Sequence, residues 1–197
     1  MKNLTNNNHN INSLIEQRWS TRAFSNMPVE KAKLQSILEA TRWAPSAFNE
    51  QPWRFILGQK GDNTYNSLLS TLSDWNIIWA SNAPVLILNI AKKTFTHNGI
   101  ENITSDYDLG QAVGFMILEV VNQGLFAHQM SGFDPAKAAE LFNIPDDFRA
   151  ISVTAVGYYG DEQNIPEDMA AMETKPRLRK DFNEIIFSDK FGGENHL

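Results

Sequence analysis

The chain has 197 residues, 42% of them hydrophobic and 20% charged, which suits a folded protein with a sizeable core rather than a disordered segment. A formal net charge of -6 argues against a nucleic-acid groove, and it makes any local cluster of cations informative. The absence of cysteine excludes disulfides, thiolate catalysis and cysteine metal sites. No apolar stretch opens the chain, and the longest uncharged run, Trp75 to Ala91, contains Pro84 and falls short of a membrane span. The expectation is a cytoplasmic protein.

In chain order, Ile11, Leu14, Ile15 and Arg18 predict a short helix ending near Trp19. It runs into Arg18-Trp19-Ser20-Thr21-Arg22-Ala23-Phe24, with two guanidiniums and two hydroxyls in five residues. A guanidinium stays charged and matches phosphate oxygens two at a time, so this block suits a phosphate. On a continued helix Arg18 and Arg22 would repel by about 0.2–0.5 kcal/mol, and an anion between them reverses the sign. The plainer alternative is a pair of solvated cations favoured by a helix C-terminus.

Pro28 is expected to open a second helix, with Asn26 nearby for capping. Leu34, Ile37, Leu38 and Thr41 carry its 3.6-residue spacing to about Trp43, before Pro45. The block Ala44-Pro45-Ser46-Ala47-Phe48-Asn49-Glu50-Gln51-Pro52-Trp53 reads as a proline-bracketed loop of small residues that can bring backbone close to a flat ligand. Trp53 to Leu57 reads as a buried strand, Asp62 to Leu72 and Trp75 to Trp79 as helices, and Val85 to Ile90 as a central strand. Phe95 to Ser105 has no periodicity and reads either as a surface excursion near a site or as a plain connecting loop.

Asp108 to Leu125 is the longest helical pattern, ended by Gly124, and it is apolar on nearly every face, as a core or subunit-boundary helix would be. Asp134-Pro135 caps a helix from Ala136 to Phe142, and Ala150 to Val156 is a further strand. Gly160 to Glu173 reads as a polar loop before the basic stretch Lys175 to Phe182. No repeat or composition break divides the chain, so residues 1–197 are expected to form a single domain, with a polar tail over 1–10 and a C-terminal arm over about 185–197. Three irregularly spaced strand candidates favour an α+β class, a small, mainly antiparallel sheet flanked by helices around a long central one.

Several chemistries find no support. The four histidines stand at 9, 97, 128 and 196 without metal-ligand spacing. Ser46, His128 and Asp134 could be written as a triad, but no Gly-x-Ser-x-Gly elbow accompanies them. Neither a Gly-x-Gly-x-x-Gly turn nor a P-loop is present.

The two early blocks together resemble the flavin-dependent nitroreductase family, which carries an Arg-x-Ser-x-Arg/Lys-x-Phe start and then a Pro-Ser-x-x-Asn-x-Gln-Pro-Trp loop. The matching residues are Arg18, Ser20, Arg22 and Phe24, then Pro45, Ser46, Asn49, Gln51, Pro52 and Trp53. The resemblance covers roughly Ser13 to Phe182 and implies an intertwined homodimer binding FMN. It also implies a two-step, ping-pong passage of hydride from NAD(P)H through flavin N5 to a flat acceptor such as a nitroaromatic or a quinone. On this reading Arg18, Ser20, and Arg179 or Lys180 serve the phosphate, Trp19 counts among the cofactor-binding residues, and Arg22 faces the edge of the ring where charge gathers on reduction. Pro45, Ser46, Ala47 and Asn49 line the ring from the partner, Gln51 counts among the cofactor-binding residues, the backbone around Ser131 and Gly132 offers an N–H to N5, and Met130 forms pocket wall. No catalytic side chain and no metal are implied. Relatives end in Arg-Lys/Arg-Pro-Leu, whereas Asp181 and Phe182 follow Arg179 and Lys180 here, which leaves Arg177 as a competitor. Two alternatives stay open, a flavin-storing protein without turnover, and the same scaffold performing dehydrogenation or dehalogenation.

Overall fold

A computed structural model describes residues 9–197, so the polar tail expected over 1–10 lies outside the described residues apart from His9 and Asn10. Four antiparallel strands form one sheet in the order β1-β2-β4-β3: β1 (Trp53–Gln59), β2 (Val85–Lys92), β3 (Phe126–Met130) and β4 (Phe148–Gly157). The helices are α1 (Ser13–Gln17), α2 (Lys31–Arg42), α3 (Asn63–Thr71), α4 (Asp74–Ala80), α5 (Ser105–Asn122), α6 (Pro135–Leu141), α7 (Glu167–Glu173) and the single turn α8 (Phe182–Ile185). The class is α+β, as the strand pattern predicts.

The central strand β2 explains the layering. Side chains alternate across a strand, so Leu86, Leu88 and Ile90 enter one core with Tyr65, Leu68, Trp79 and Met169 of α3, α4 and α7. Val85, Ile87 and Ala91 enter the other core with Leu34 and Ile37 of α2 and Leu109, Ala112 and Met116 of α5. With helices on both faces, an uninterrupted apolar run is what such a strand needs. Local chemistry fixes the helix ends: Asn12 caps α1, Asp62 caps α3 through the Tyr65 N–H, and Asp134 caps α6 through the Lys137 N–H. The end of α5 is closed by the Leu125 N–H on the Val120 carbonyl and the Gly124 N–H on the Val121 carbonyl.

The structure departs from the sequence expectations in three places. Helix α2 begins at Lys31 rather than Pro28, because Val29 is buried in the core and Glu30 takes the cap position with no side-chain bond. The segment after Gly124 forms β3, an edge strand of five residues whose His128 and Gln129 obscure the apolar alternation. The stretch read as a polar loop contains α7, with Ile165, Met169 and Glu173 all buried at four-residue intervals.

Candidate functional site

The turn that follows α1 is bound to the rest of the protein through its backbone. Phe24 bridges Tyr159, with the Ser25 N–H on the Tyr158 carbonyl and the Gly160 N–H on the Ala23 carbonyl. The approach is so close that a Cβ on Gly160 would stand 2.4 Å from the Phe24 carbonyl carbon. Thr21, fully buried, is the hub of the turn. Its hydroxyl donates to Glu173 Oε2 at 2.7 Å and accepts the Ala23 N–H at 2.9 Å. Its carbonyl lies 2.9 Å from His128 Nδ1, so that nitrogen carries the proton.

His128 projects from β3 against Trp79, with ring centroids 4.4 Å apart. Burial pushes its pKa down to about 4; the bond to Thr21 opposes the shift, and the guanidiniums of Arg22 and Arg18 add to it. Glu173, 1% exposed at the end of α7, also accepts the Arg22 backbone N–H at 2.7 Å on Oε1. Burial raises its pKa, while the bonds from Arg22 and Thr21 and the Arg22 charge oppose the rise.

Three arginines gather here. Arg18 Nη1 donates to Ser20 Oγ at 3.1 Å. Arg177 donates through Nη1 to the Arg18 carbonyl and through Nη2 to the Glu16 carbonyl, the latter at 2.6 Å. Arg179 donates only to the neighbouring Leu178 carbonyl, at 2.7 Å. Burial holds the Arg18 guanidinium below its usual pKa, and the charges of Arg179 and then Arg177 push the same way. No carboxylate among the described residues forms an ion pair with any of the three. Arg22 adds a buried Nε without an acceptor. Lys180 is exposed and makes no hydrogen bond among the described residues, while Trp19 is half-buried.

The Pro45–Gln51 loop is a second special region. Phe48, Asn49 and Gln51 have φ of 53°, 54° and 50°, left-handed values costing about 1–2 kcal/mol each for a non-glycine residue. The loop is held by the Gln51 N–H on Ser46 Oγ at 3.0 Å and by the Ala47 N–H on Asp108 Oδ2 of α5 at 3.1 Å. Glu50 reaches the 95–101 excursion and accepts the Thr96 N–H at 2.9 Å, with Lys92 3.7 Å away. On the surface of this loop Phe48, 85% exposed, packs edge-on to Phe95 at 5.7 Å and tilts against His97. The excursion is thus anchored to the loop. No hydrogen bond, ion pair or ring contact among the described residues links the loop to the arginine cluster within one chain.

Beyond β3, the Gly132 carbonyl accepts from the Ser73 N–H at 3.0 Å and from Asn76 Nδ2 at 2.9 Å. A Cβ at Gly132 would meet Asn76 Nδ2 at 2.7 Å, so a larger residue there would push that amide aside. The Gly132 N–H has no acceptor among the described residues. Ser131 is exposed, whereas Met130 is 3% exposed and packs in the core. Helix α5 leaves Tyr107 and Phe115 exposed while its opposite face is buried. An open groove lined by Gln35, Glu39 and Glu119, with Trp43 at its edge, contains none of the candidate cofactor-binding residues. No helix among the described residues is long and apolar enough to cross a membrane, and no cluster of metal-ligating side chains is found among them.

The sequence reading missed Glu173, His128 in its positioning role, and Asp108. Glu173 carried a usable signal, the four-residue spacing Ile165, Met169, Glu173. His128 and Asp108 carried none, because their partners come from distant segments.

Fold and site define an α+β protein that gathers unpaired cations between its N-terminal turn and its C-terminal segment. The model of the nitroreductase family matches residues 15–82. A solved structure of an oxidoreductase containing FMN shares 32% identity, with 96% of this chain and 97% of that chain covered and a TM-score of 0.90. A Streptomyces coelicolor protein provisionally named NADH dehydrogenase/NAD(P)H nitroreductase is 28% identical over 176 residues, 79% of this chain and 83% of its own. An iodotyrosine deiodinase of Thermotoga neapolitana is 26% identical over 173 residues, 75% of this chain and 88% of its own. The chain belongs to the nitroreductase family and is an oxidoreductase.

Proposed function

We propose that the protein is an FMN-dependent oxidoreductase that takes hydride from NAD(P)H and passes it to a flat acceptor, such as a nitroaromatic or a quinone, in two ping-pong steps. The observation that carries this reading is the gathering of Arg18, Arg177 and Arg179 beside Ser20 without a carboxylate to neutralise them. Three cations held together against their repulsion call for a multiply charged anion, and a phosphate monoester supplies one. The buried, unpartnered Nε of Arg22 and the unclaimed N–H of Gly132 suit a ligand with further hydrogen-bonding edges.

FMN, when bound, supplies a centre that accepts and releases hydride, chemistry that no protein side chain offers. Arg18, Ser20 and a C-terminal cation, Arg179 or Lys180, would hold the phosphate, each charge-assisted bond contributing about 1.5–3 kcal/mol. Trp19 lies between the first two. Arg22 would stabilise negative charge on the reduced ring from a fixed position, set by its backbone bond to Glu173. The Ser131–Gly132 backbone would present its N–H to the ring, held in place by Ser73 and Asn76. Pro45, Ser46, Ala47, Asn49 and Gln51 would come from a second copy of the chain, which fits both the absence of a link within one chain and the exposed Tyr107 and Phe115 on α5. Strain stored in three left-handed positions within four residues marks a loop shaped for a ligand rather than for stability. No side chain is assigned as acid or base, since solvent can supply protons.

The test is anaerobic addition of NADH or NADPH to the flavin-loaded protein. Rapid bleaching of the yellow colour is expected, and a flavin left oxidised by both donors would favour storage. The likeness to a deiodinase supports dehalogenation as the second reading. A reduced protein that is reoxidised by a halogenated aromatic but by neither quinone nor nitroaromatic would select it.

A further inference from the structure

We propose that Glu173 and Arg177 are positioning residues for the phosphate end of the cofactor, fixing the backbone on either side of Ser20 so that Arg18 and Arg179 are the cations that touch the phosphate. The inference rests on the FMN reading above and assigns roles that the basic stretch of the sequence leaves open.

The geometry separates the C-terminal residues by what their donors and acceptors already hold. Both terminal nitrogens of Arg177 donate to main-chain carbonyls, those of Arg18 and Glu16. Its Nε is buried and unpartnered, so the guanidinium is inserted between α1 and the C-terminal segment rather than presented to a ligand. Glu173 grips the other side, with Oε2 on the Thr21 hydroxyl and Oε1 on the Arg22 N–H, both at 2.7 Å. Only Trp19 and Ser20 lie between these two holds. Ser20 is exposed, and its hydroxyl is already oriented by Arg18. Arg179, by contrast, is exposed and holds nothing beyond the carbonyl of its own neighbour.

A buried carboxylate beside an anion site is electrostatically unfavourable unless it does something else. Here it supplies two charge-assisted acceptors to backbone and hydroxyl donors that would otherwise be left unpaired inside the protein. The arrangement also ties the two ends of the chain together. Residues 16–22 present the phosphate donors, and residues 173–179 hold that presentation in place.

The experiment compares the affinities of the flavin-stripped full-length chain for FMN and for riboflavin, which shares the ring but lacks the phosphate, by quenching of flavin fluorescence. The proposal expects Glu173→Gln and Arg177→Gln each to weaken FMN about tenfold or more, the loss of roughly one charge-assisted bond's worth of positioning. Riboflavin affinity should be unchanged in Arg177→Gln and should fall less than FMN affinity in Glu173→Gln, whose carboxylate also holds the Arg22 backbone, and Arg177→Lys should recover part of the loss. Because Arg177 acts on the phosphate only through space while Arg179 touches it, Arg177→Gln should flatten the salt dependence of FMN binding less than Arg179→Gln does. Equal weakening of FMN and riboflavin would show a merely structural role and overturn the proposal. So would flattening by Arg177→Gln with none from Arg179→Gln, which would make Arg177 the ligand. A thermal midpoint measured on each stripped variant identifies loss of folding, and there Arg177→Lys alone decides: FMN affinity weakened with riboflavin unchanged supports the clamp, and wild-type preference for FMN refutes it. A wild-type chain that binds FMN no more tightly than riboflavin would overturn the phosphate reading itself, a result distinct from either failure of the clamp.

Discussion

His128 gives the site a pH signature that can be measured without any ligand. Its pKa is near 4 in the folded protein, chiefly through burial against Trp79, and it returns to about 6.5 when the chain unfolds. The unfolded state therefore binds more protons than the folded state between these values. Stability is complete above pH 6.5, falls as pH drops from 6.5 toward 4, and changes no further below that on this residue's account. At about 1.36 kcal/mol per pH unit the full loss is roughly 3 kcal/mol. Glu173 acts in the opposite sense, because a carboxyl whose folded pKa is raised stabilises the fold as pH drops, so the wild-type profile alone mixes the two. The assay is therefore a difference: urea denaturation of wild type and His128→Gln at pH 7.5, 6.5, 5.5 and 4.5. Glu173 is present in both chains and largely cancels. The wild type should lose about 2 kcal/mol or more relative to the variant between pH 6.5 and pH 4.5. A difference that stays flat across that range would refute the buried, neutral histidine and with it the hold on Thr21.

Two further substitutions test other parts of the structure. Gly160→Ala places a methyl group where 2.4 Å separates it from the Phe24 carbonyl carbon, and should cost about 1–3 kcal/mol in denaturant titration, since the bridge between the N-terminal turn and the end of β4 must open. Phe115→Glu puts a charge on the exposed side of α5 and should yield monomers in sedimentation that no longer retain flavin; monomers with full flavin content would contradict the shared site.

Much of the architecture could be read from local pattern. The apolar run at β2, the spacing that carries α2 to its end, the helical stretch after Asp62 and the cap at Asp134 are signals contained within a few residues, and all but the start of α2 stand close to where they are expected. β3 was hidden because it pairs only with β4, and its alternation is broken by a half-buried histidine whose partner is a carbonyl over a hundred residues away. α7 was hidden by its polarity, since the residue that completes its buried face is itself a glutamate. For the site, the arginines and the proline-bracketed loop were visible as residue types. What holds them was not, because the Glu173, His128 and Asp108 contacts exist only once distant segments have packed.

The central claim is that cations from both ends of the chain bind a phosphate-bearing flavin, and the most direct measurement is the amount of FMN bound per chain at equilibrium after dialysis against excess cofactor. The account predicts close to one FMN per chain for the wild type and little or none for the Arg18→Ala, Arg22→Ala double variant. A correctly folded, dimeric wild type that takes up no FMN, or a double variant that keeps its full complement, would contradict it.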